Sequence, residues 1–270
     1  MRYLITGGAG SLGRALTRKI NQSPDSEVVV YSRDEGKHAE YFPRGSGVST
    51  VIGDVRDFDR LNITVKRHRP DCIIHAAALK RIDDIELQPE ESIKTNVNGT
   101  ENVARAALLN DVGKCMFIST DKACKPVNVY GSSKFIAERI FTNYDFNSAN
   151  TVFSSVRYGN VISSRGSFIP TWMNLINSGK SINVTSLEMT RFMFTLNDAV
   201  TAVLEGIDNS SGGEVFVPKI DSFDMRTILL AIENLVGKKI NYNVTGLRPG
   251  EKLHEAVSYT HLTLPTICSV

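Results

Sequence analysis

Thr120-Asp121-Lys122 and, a few residues on, Tyr130-xxx-Lys134 place an acid, a base and a proton-and-hydride pair within one short stretch. A tyrosinate can take the proton of a secondary hydroxyl while a nicotinamide takes its hydride, and a lysine one helical turn later can hold the phenolate in its charged form. Tyr and Lys at this spacing also arise by chance, so the pair draws its meaning from its surroundings.

Such a site needs a rigid frame, and the chain alternates in the way that builds one. Short apolar runs at 2–6, 27–32, 48–53, 71–76, 114–119 and 151–157 read as strands, and between them 11–21, 57–68, 89–110 and 129–147 carry apolar residues at helical spacing. Strands alternating with helices predict an α/β fold built on a doubly wound parallel sheet. Past residue 157 shorter elements follow at 168–178, 192–196, 198–207, 214–217 and 224–236, which predicts a smaller C-terminal substrate lobe interleaved with the last sheet strands. The expected division is a dinucleotide-binding domain over 1–157, completed by segments within 192–243, and a mainly substrate-binding lobe over 158–256.

The first strand runs into Thr6-Gly7-Gly8-Ala9-Gly10-Ser11-Leu12-Gly13, which opens a helix. Glycines there let the backbone turn tightly and approach a pyrophosphate at the positive helix end, which makes Gly7, Gly10, Ser11, Leu12 and Gly13 candidate cofactor contacts. The second strand ends in Tyr31-Ser32-Arg33-Asp34. Arg33 with Lys37 would neutralise a 2′-phosphate, whereas Asp34 would accept from a free ribose hydroxyl; the pattern favours NADP over NAD. Asp54-Val55 after the third strand is expected beside the adenine, and Ala76-Ala77 after the fourth leaves room for the cofactor.

Composition narrows the classes. With 41% hydrophobic and 22% charged residues and a net charge of +2, the chain reads as globular, with no bias toward nucleic acid. No apolar run approaches bilayer-spanning length, so a cytoplasmic protein is expected. Cys72, Cys115, Cys124 and Cys268 form no CxxC pair and read as reduced thiols, and the five His show no metal-ligand spacing, so no metal is expected. His75 reads as a packed strand-end histidine.

Assembled, these pieces resemble the extended short-chain dehydrogenase/reductase family and, within it, the soluble inverting UDP-N-acetylglucosamine 4,6-dehydratases of pseudaminic acid and capsule pathways. The resemblance covers residues 1 to about 255. It is carried by the Gly7–Gly13 loop, Ser32-Arg33-Asp34-Glu35, Gly53-Asp54-Val55-Arg56-Asp57, His75-Ala76-Ala77-Ala78-Leu79-Lys80 and Lys94-Thr95-Asn96. It continues through Thr120-Asp121-Lys122, Tyr130-Gly131-Ser132-Ser133-Lys134, Arg157-Tyr158-Gly159-Asn160-Val161, Ser164-Arg165-Gly166-Ser167, Met189-Thr190-Arg191-Phe192 and Arg248-Pro249-Gly250-Glu251-Lys252. Tyr130 departs from the membrane-bound retaining relatives, which carry methionine there, and Lys122 departs from the Thr-Asp-Glu of dTDP-glucose dehydratases. The stretch 257–270 does not resemble the family and reads as a non-native tail on a shortened chain.

The resemblance implies a Rossmann-type fold, tightly held NADP, a UDP-sugar substrate and a homo-oligomer. It implies that Tyr130 and Lys134 drive oxidation at C4, Thr120 bonds the C4 oxygen, Lys122 is the base at C5 and Asp121 the acid at C6. Asn96 would hold a relay water. Lys80, Asn160, Val161, Arg165, Ser167, Thr190, Arg191, Arg248 and Glu251 become the substrate residues, with the arginines suited to a pyrophosphate. Two other readings use the same scaffold: a UDP-sugar 4-epimerase, which needs no acid at C6, and a non-catalytic NADP-binding regulator, which needs neither Tyr130 nor Lys134.

Overall fold

The computed structural model describes residues 1–258 apart from Ser163. Of the expected tail over 257–270, Val257 and Ser258 are described, and the rest, with Cys268, lies outside the described residues. In chain order the first half runs β1 (Arg2–Thr6), α1 (Ser11–Ile20), β2 (Glu27–Ser32), α2 (Glu35–Tyr41), β3 (Val48–Ile52), α3 (Phe58–His68), β4 (Cys72–His75), α4 (Ile82–Leu87) and α5 (Pro89–Ser92). A π-helical turn (Ile93–Asn98) leads into α6 (Gly99–Leu109), β5 (Lys114–Ile118), a 3-10 turn (Asp121–Ala123), α7 (Val129–Phe146) and β6 (Val152–Val156). The remainder is β7 (Asn160–Val161), α8 (Phe168–Asn177), β8 (Ile182–Val184), β9 (Thr190–Phe194), α9 (Leu196–Asn209), β10 (Val215–Phe216), β11 (Ser222–Asp224), α10 (Met225–Val236) and β12 (Tyr242–Val244).

Seven strands pair in the order β10-β6-β5-β4-β1-β2-β3, all parallel. Because side chains alternate along a strand, one run feeds two cores. Leu4 and Ile73 pack on the face covered by α3, α6 and α7, while Ile5 and Ile74 pack on the face covered by α1 and α9. Strands buried on both faces read as continuous apolar runs, which is why β1 and β2 begin and end where their sequence predicts. A separate apolar cluster joins Trp172 and Ile176 of α8, Ile182 and Val184 of β8, and Ile228, Leu229 and Ile232 of α10. Among the described residues, no helix is long and apolar enough to cross a membrane.

The expected single helix over 89–110 is broken: α5 passes through the π turn before α6 begins. The wide turn buries both Thr95 and Asn96 and ends at Gly99, where a Cβ would lie 2.7 Å from a Val55 methyl. The helix α2 carries no apolar periodicity and forms through its cap, Asp34 accepting from Lys37 N at 3.0 Å.

A buried ion pair holds α7 to the sheet. Glu138 accepts from Arg157 Nε at 3.0 Å and from Nη2 at 2.5 Å, with both side chains all but inaccessible, and it also accepts from the Ser119 hydroxyl. Removing one partner strands the other charge in the interior. Glu138→Ala should therefore cost about 3–5 kcal/mol in urea denaturation, and Glu138→Met/Arg157→Met should lose less than the single variant. A single-variant loss within experimental error of zero contradicts this.

Candidate active site

The strand order reverses between β1 and β4, so the loops leaving these strands diverge and open a crevice at the carboxyl edge of the sheet. The turn after β1 enters this crevice with Gly7 at φ +69°, and a Cβ there would lie 2.7 Å from Ala77 N. Gly13 lies against the same turn, where a Cβ would meet Gly8 Cα at 2.5 Å. Gly10 caps α1 without a side-chain bond, and no acidic residue occupies the first turn, so the positive helix end faces the crevice uncompensated.

A groove of about 320 Å³ runs from this turn across Tyr31 to the end of β3. It is lined by ten of the expected cofactor residues, Gly7, Gly10, Ser11, Ser32, Arg33, Lys37, Asp54, Val55, Ala76 and Ala77, and also by Lys80. Four other expected contacts do not line it: Gly13 is buried in the glycine turn, the Leu12 side chain packs toward the apolar core beneath α1, and Tyr130 and Lys134, expected at the nicotinamide ribose, lie on α7. A residue that sequence reasoning did not assign is Thr95, whose hydroxyl is buried without a partner and which lines the groove. A cradle that excludes Cβ atoms, an uncapped helix end and an unpartnered hydroxyl fit a dinucleotide. At the far end Lys37 pairs with Asp34, and Arg33 reaches Asp54 at 3.4 Å.

The chemical residues sit at the ends of β5 and β6. Asp121 is fully buried; its Oδ1 accepts from Lys122 Nζ at 3.0 Å and from Thr120 Oγ1 at 2.9 Å, while Oδ2 is buried without a partner. Lys122 Nζ also donates to Asn160 Oδ1 at 3.4 Å, and Asp121 N donates to Tyr158 O at 2.9 Å, so the β6 loop supports the triplet from behind. The triplet reaches α7 because residue 131 is glycine: a Cβ there would lie 2.3 Å from Lys122 O. Asn128 caps α7 by accepting from Gly131 N at 2.7 Å, which sets the first turn that carries Tyr130.

Burial raises the Tyr130 pKa, the Asp121 carboxylate raises it further, and a hydrogen bond with Thr120 opposes both. Lys134 is buried, donates to Ile118 O at 2.6 Å and lies 4.0 Å from the Phe117 ring centroid. Its burial pushes its pKa down to about 7, against the opposing charge of Glu138. His75 is a packed strand-end residue, held between Thr6 Oγ1 at 2.6 Å and Thr100 Oγ1 at 3.0 Å. Burial, then the charge of Lys134, pushes it down to about 3, so it stays neutral.

Asn96, expected to hold a relay water, lies buried among partners from three segments. Its amide is taken up by the chain, accepting from Leu79 N at 2.8 Å and donating to Leu79 O at 2.9 Å and Ser133 Oγ at 3.1 Å. The Leu79 contacts hold the segment leading to Lys80, while Ser133 donates to Tyr130 O.

The expected substrate residues fall into two groups. Thr190, Arg191, Arg248 and Glu251 come together from distant parts of the chain: Arg191 reaches Glu251 at 3.5 Å, and Arg248 reaches Glu251 at 3.1 Å and Asp83 at 2.9 Å. Arg191 is buried and also donates to the carbonyls of Thr190, Lys252 and Leu253, so its guanidinium is engaged by the chain. Thr190 Oγ1 lies 2.9 Å from His254 Nδ1. Arg165 stands apart from the other two arginines, lining the cofactor groove with its N donating to Ser11 Oγ at 3.0 Å and Nη2 to Tyr41 Oη at 2.8 Å. Val161 is paired in β7, and Ser167 donates to Ser164 O at 2.8 Å.

A model of the family described as polysaccharide biosynthesis protein matches residues 3–264. An inverting UDP-N-acetylglucosamine 4,6-dehydratase from Campylobacter jejuni strain 81-176 is 40% identical over 96% of this chain and 79% of its own length. A UDP-glucose 4-epimerase from Rickettsia canadensis is 38% identical over 94% of this chain and 76% of its own. The X-ray structure of Pen from Bacillus thuringiensis superposes with a TM-score of 0.89 at 37% identity, covering 95% of this chain and 80% of that one.

Below about pH 7 Lys134 is protonated folded and unfolded, and the full cost of burying its charge is present. From there to the ordinary lysine value near 10.5 the unfolded chain holds a proton that the folded one lacks, so stability rises with pH. Relative to Lys134→Met, the wild-type protein should gain up to about 3 kcal/mol between roughly pH 7 and 9.5 in urea denaturation; parallel curves contradict the assignment.

Proposed function

This chain belongs to the polysaccharide biosynthesis protein family and has the extended short-chain dehydrogenase/reductase fold, and on that premise we propose that it removes water from UDP-N-acetylglucosamine. The product is a UDP-2-acetamido-2,6-dideoxy-4-hexulose inverted at C5, a precursor for surface polysaccharide or flagellin glycan. The observation that carries this reading is the Asp121–Lys122 pair beside Tyr130, its carboxylate buried with one oxygen unpartnered.

The groove suits a dinucleotide, and Arg33 with Lys37 at its far end supports NADP over NAD. When bound, the nicotinamide would supply reversible hydride chemistry, taking hydride from C4 to leave a transient ketone and giving it back at C6 after water has left. Tyr130 takes the C4 hydroxyl proton, and Thr120 steadies that oxygen. The ketone acidifies C5–H, and Lys122 as free amine removes that proton. Asp121 gives a proton to the C6 hydroxyl, which departs as water.

The geometry explains how base and acid arise together. An ammonium and a carboxylate 3.0 Å apart share one proton; moving it from Lys122 Nζ to Asp121 turns an ion pair into an amine and a carboxylic acid with no exchange with solvent. After the step Lys122 holds the C5 proton and Asp121 is again a carboxylate. Reprotonation of C5 from the opposite face gives the inverted centre. The same reading places the protein in the cytoplasm as a homo-oligomer.

The likeness to UDP-glucose 4-epimerase supports a second reading, in which Tyr130 and Lys134 make the ketone and the sugar turns before reduction at C4. That path has no use for the Asp121–Lys122 couple. Mass spectrometry of UDP-N-acetylglucosamine incubated with the protein should show loss of one water, and Lys122→Ala or Asp121→Asn should slow it by about 10²–10⁴. An unchanged mass with the C4 epimer formed contradicts the dehydratase and supports the epimerase.

A further inference from the structure

At the far end of the cofactor groove, behind Ser32, lies a histidine that the reaction does not use. His38 is the inward residue of α2, 5% exposed, and its Nε2 stands 2.5 Å from Ser32 Oγ. Its other ring nitrogen, Nδ1, is buried without a partner. Ser32 itself lines the groove next to Arg33 and Lys37, while His38 does not reach it.

The two nitrogens settle which way the hydroxyl points. Burial lowers the His38 pKa, so the ring is neutral and carries one proton. With that proton on Nδ1 a buried N–H donor would have no acceptor, the costlier defect; with it on Nε2, the ring donates to Ser32 Oγ and only a lone pair is left unmatched. Ser32 Oγ then accepts from behind and turns its own hydrogen into the groove. A phosphate offers only acceptors, so a hydroxyl committed to donating suits it, whereas a ribose hydroxyl can donate as well as accept and gains less from that commitment.

We infer that His38 is a positioning residue for cofactor selection: its Nε2–H orients the Ser32 hydroxyl as a fixed donor toward a 2′-phosphate. This rests on the NADP reading above and adds the residue that enforces it. His38 touches no cofactor in this arrangement, and its effect passes through Ser32.

The test is the ratio of NADPH to NADH dissociation constants, measured by fluorescence titration of the purified protein and its variants. His38→Leu should weaken NADPH about tenfold and leave NADH within about twofold. His38→Gln, whose amide nitrogen can take the place of Nε2, should keep the wild-type ratio. His38→Asn, polar but too short to reach Ser32, should behave as leucine does and serves where leucine does not fold. Equal weakening of both cofactors, an unchanged ratio in His38→Leu and His38→Asn, or a glutamine variant as impaired as the others overturns the inference while leaving the NADP reading intact. A wild-type protein that prefers NADH overturns both.

Discussion

The reactive groups keep their places through a buried ion pair that touches none of the chemistry. Glu138 lies one turn beyond Lys134 on α7, and through Ser119 and Arg157 it holds the two segments that carry Thr120-Asp121-Lys122 and Tyr158-Gly159-Asn160. Arg157 also donates to Val257 O at 2.9 Å, which brings the segment after Arg248-Pro249-Gly250-Glu251-Lys252 under the same control. The C-terminal segment is further held by Asn128 donating to Gly250 O at 2.8 Å and Lys252 to Cys124 O at 2.8 Å. Removing one charge from such a pair is costly while replacing both often is not, so its value here lies in fixing the relation of three loops rather than in net attraction.

Around that anchor, desolvation sets the electrostatics. Holding Lys134 near 7 instead of 10.5 corresponds to roughly 5 kcal/mol against its charged form. The same burial makes phenolate formation at Tyr130 unfavourable in the free protein. A cationic cofactor ring brought next to Tyr130 would reverse that sign, which couples proton removal to cofactor occupancy. In the proposed reaction the Asp121–Lys122 couple would avoid the problem differently, because a proton passed between the two leaves the net charge of the pair unchanged.

Much of this was legible in the sequence because it rests on local patterns. The glycine turn, the fully buried strands and the helix opening at Val129 follow from backbone demands and apolar runs that neighbours cannot easily override. Other features depend on contacts between distant segments. The π turn that buries Thr95 and Asn96 has no propensity signal, and Asn96 is committed to Leu79 and Ser133 by packing alone. Three arginines looked alike in sequence, yet Arg165 lies by the glycine turn while Arg191 and Arg248 converge on Glu251. Gly131 stood within the Tyr130-Gly131-Ser132-Ser133-Lys134 motif, but its reason, the approach of Lys122 O, lies in the fold.

The central claim is that an amine beside a buried carboxylate removes the proton at C5 of a transient 4-ketose. Running the reaction in D₂O and reading the product by NMR tests it most directly. The account predicts a 4-keto, 6-deoxy sugar with deuterium at C5 and inverted configuration there. A product that keeps its original hydrogen at C5, whether a C4 epimer or a ketose still bearing the C6 hydroxyl, would contradict it.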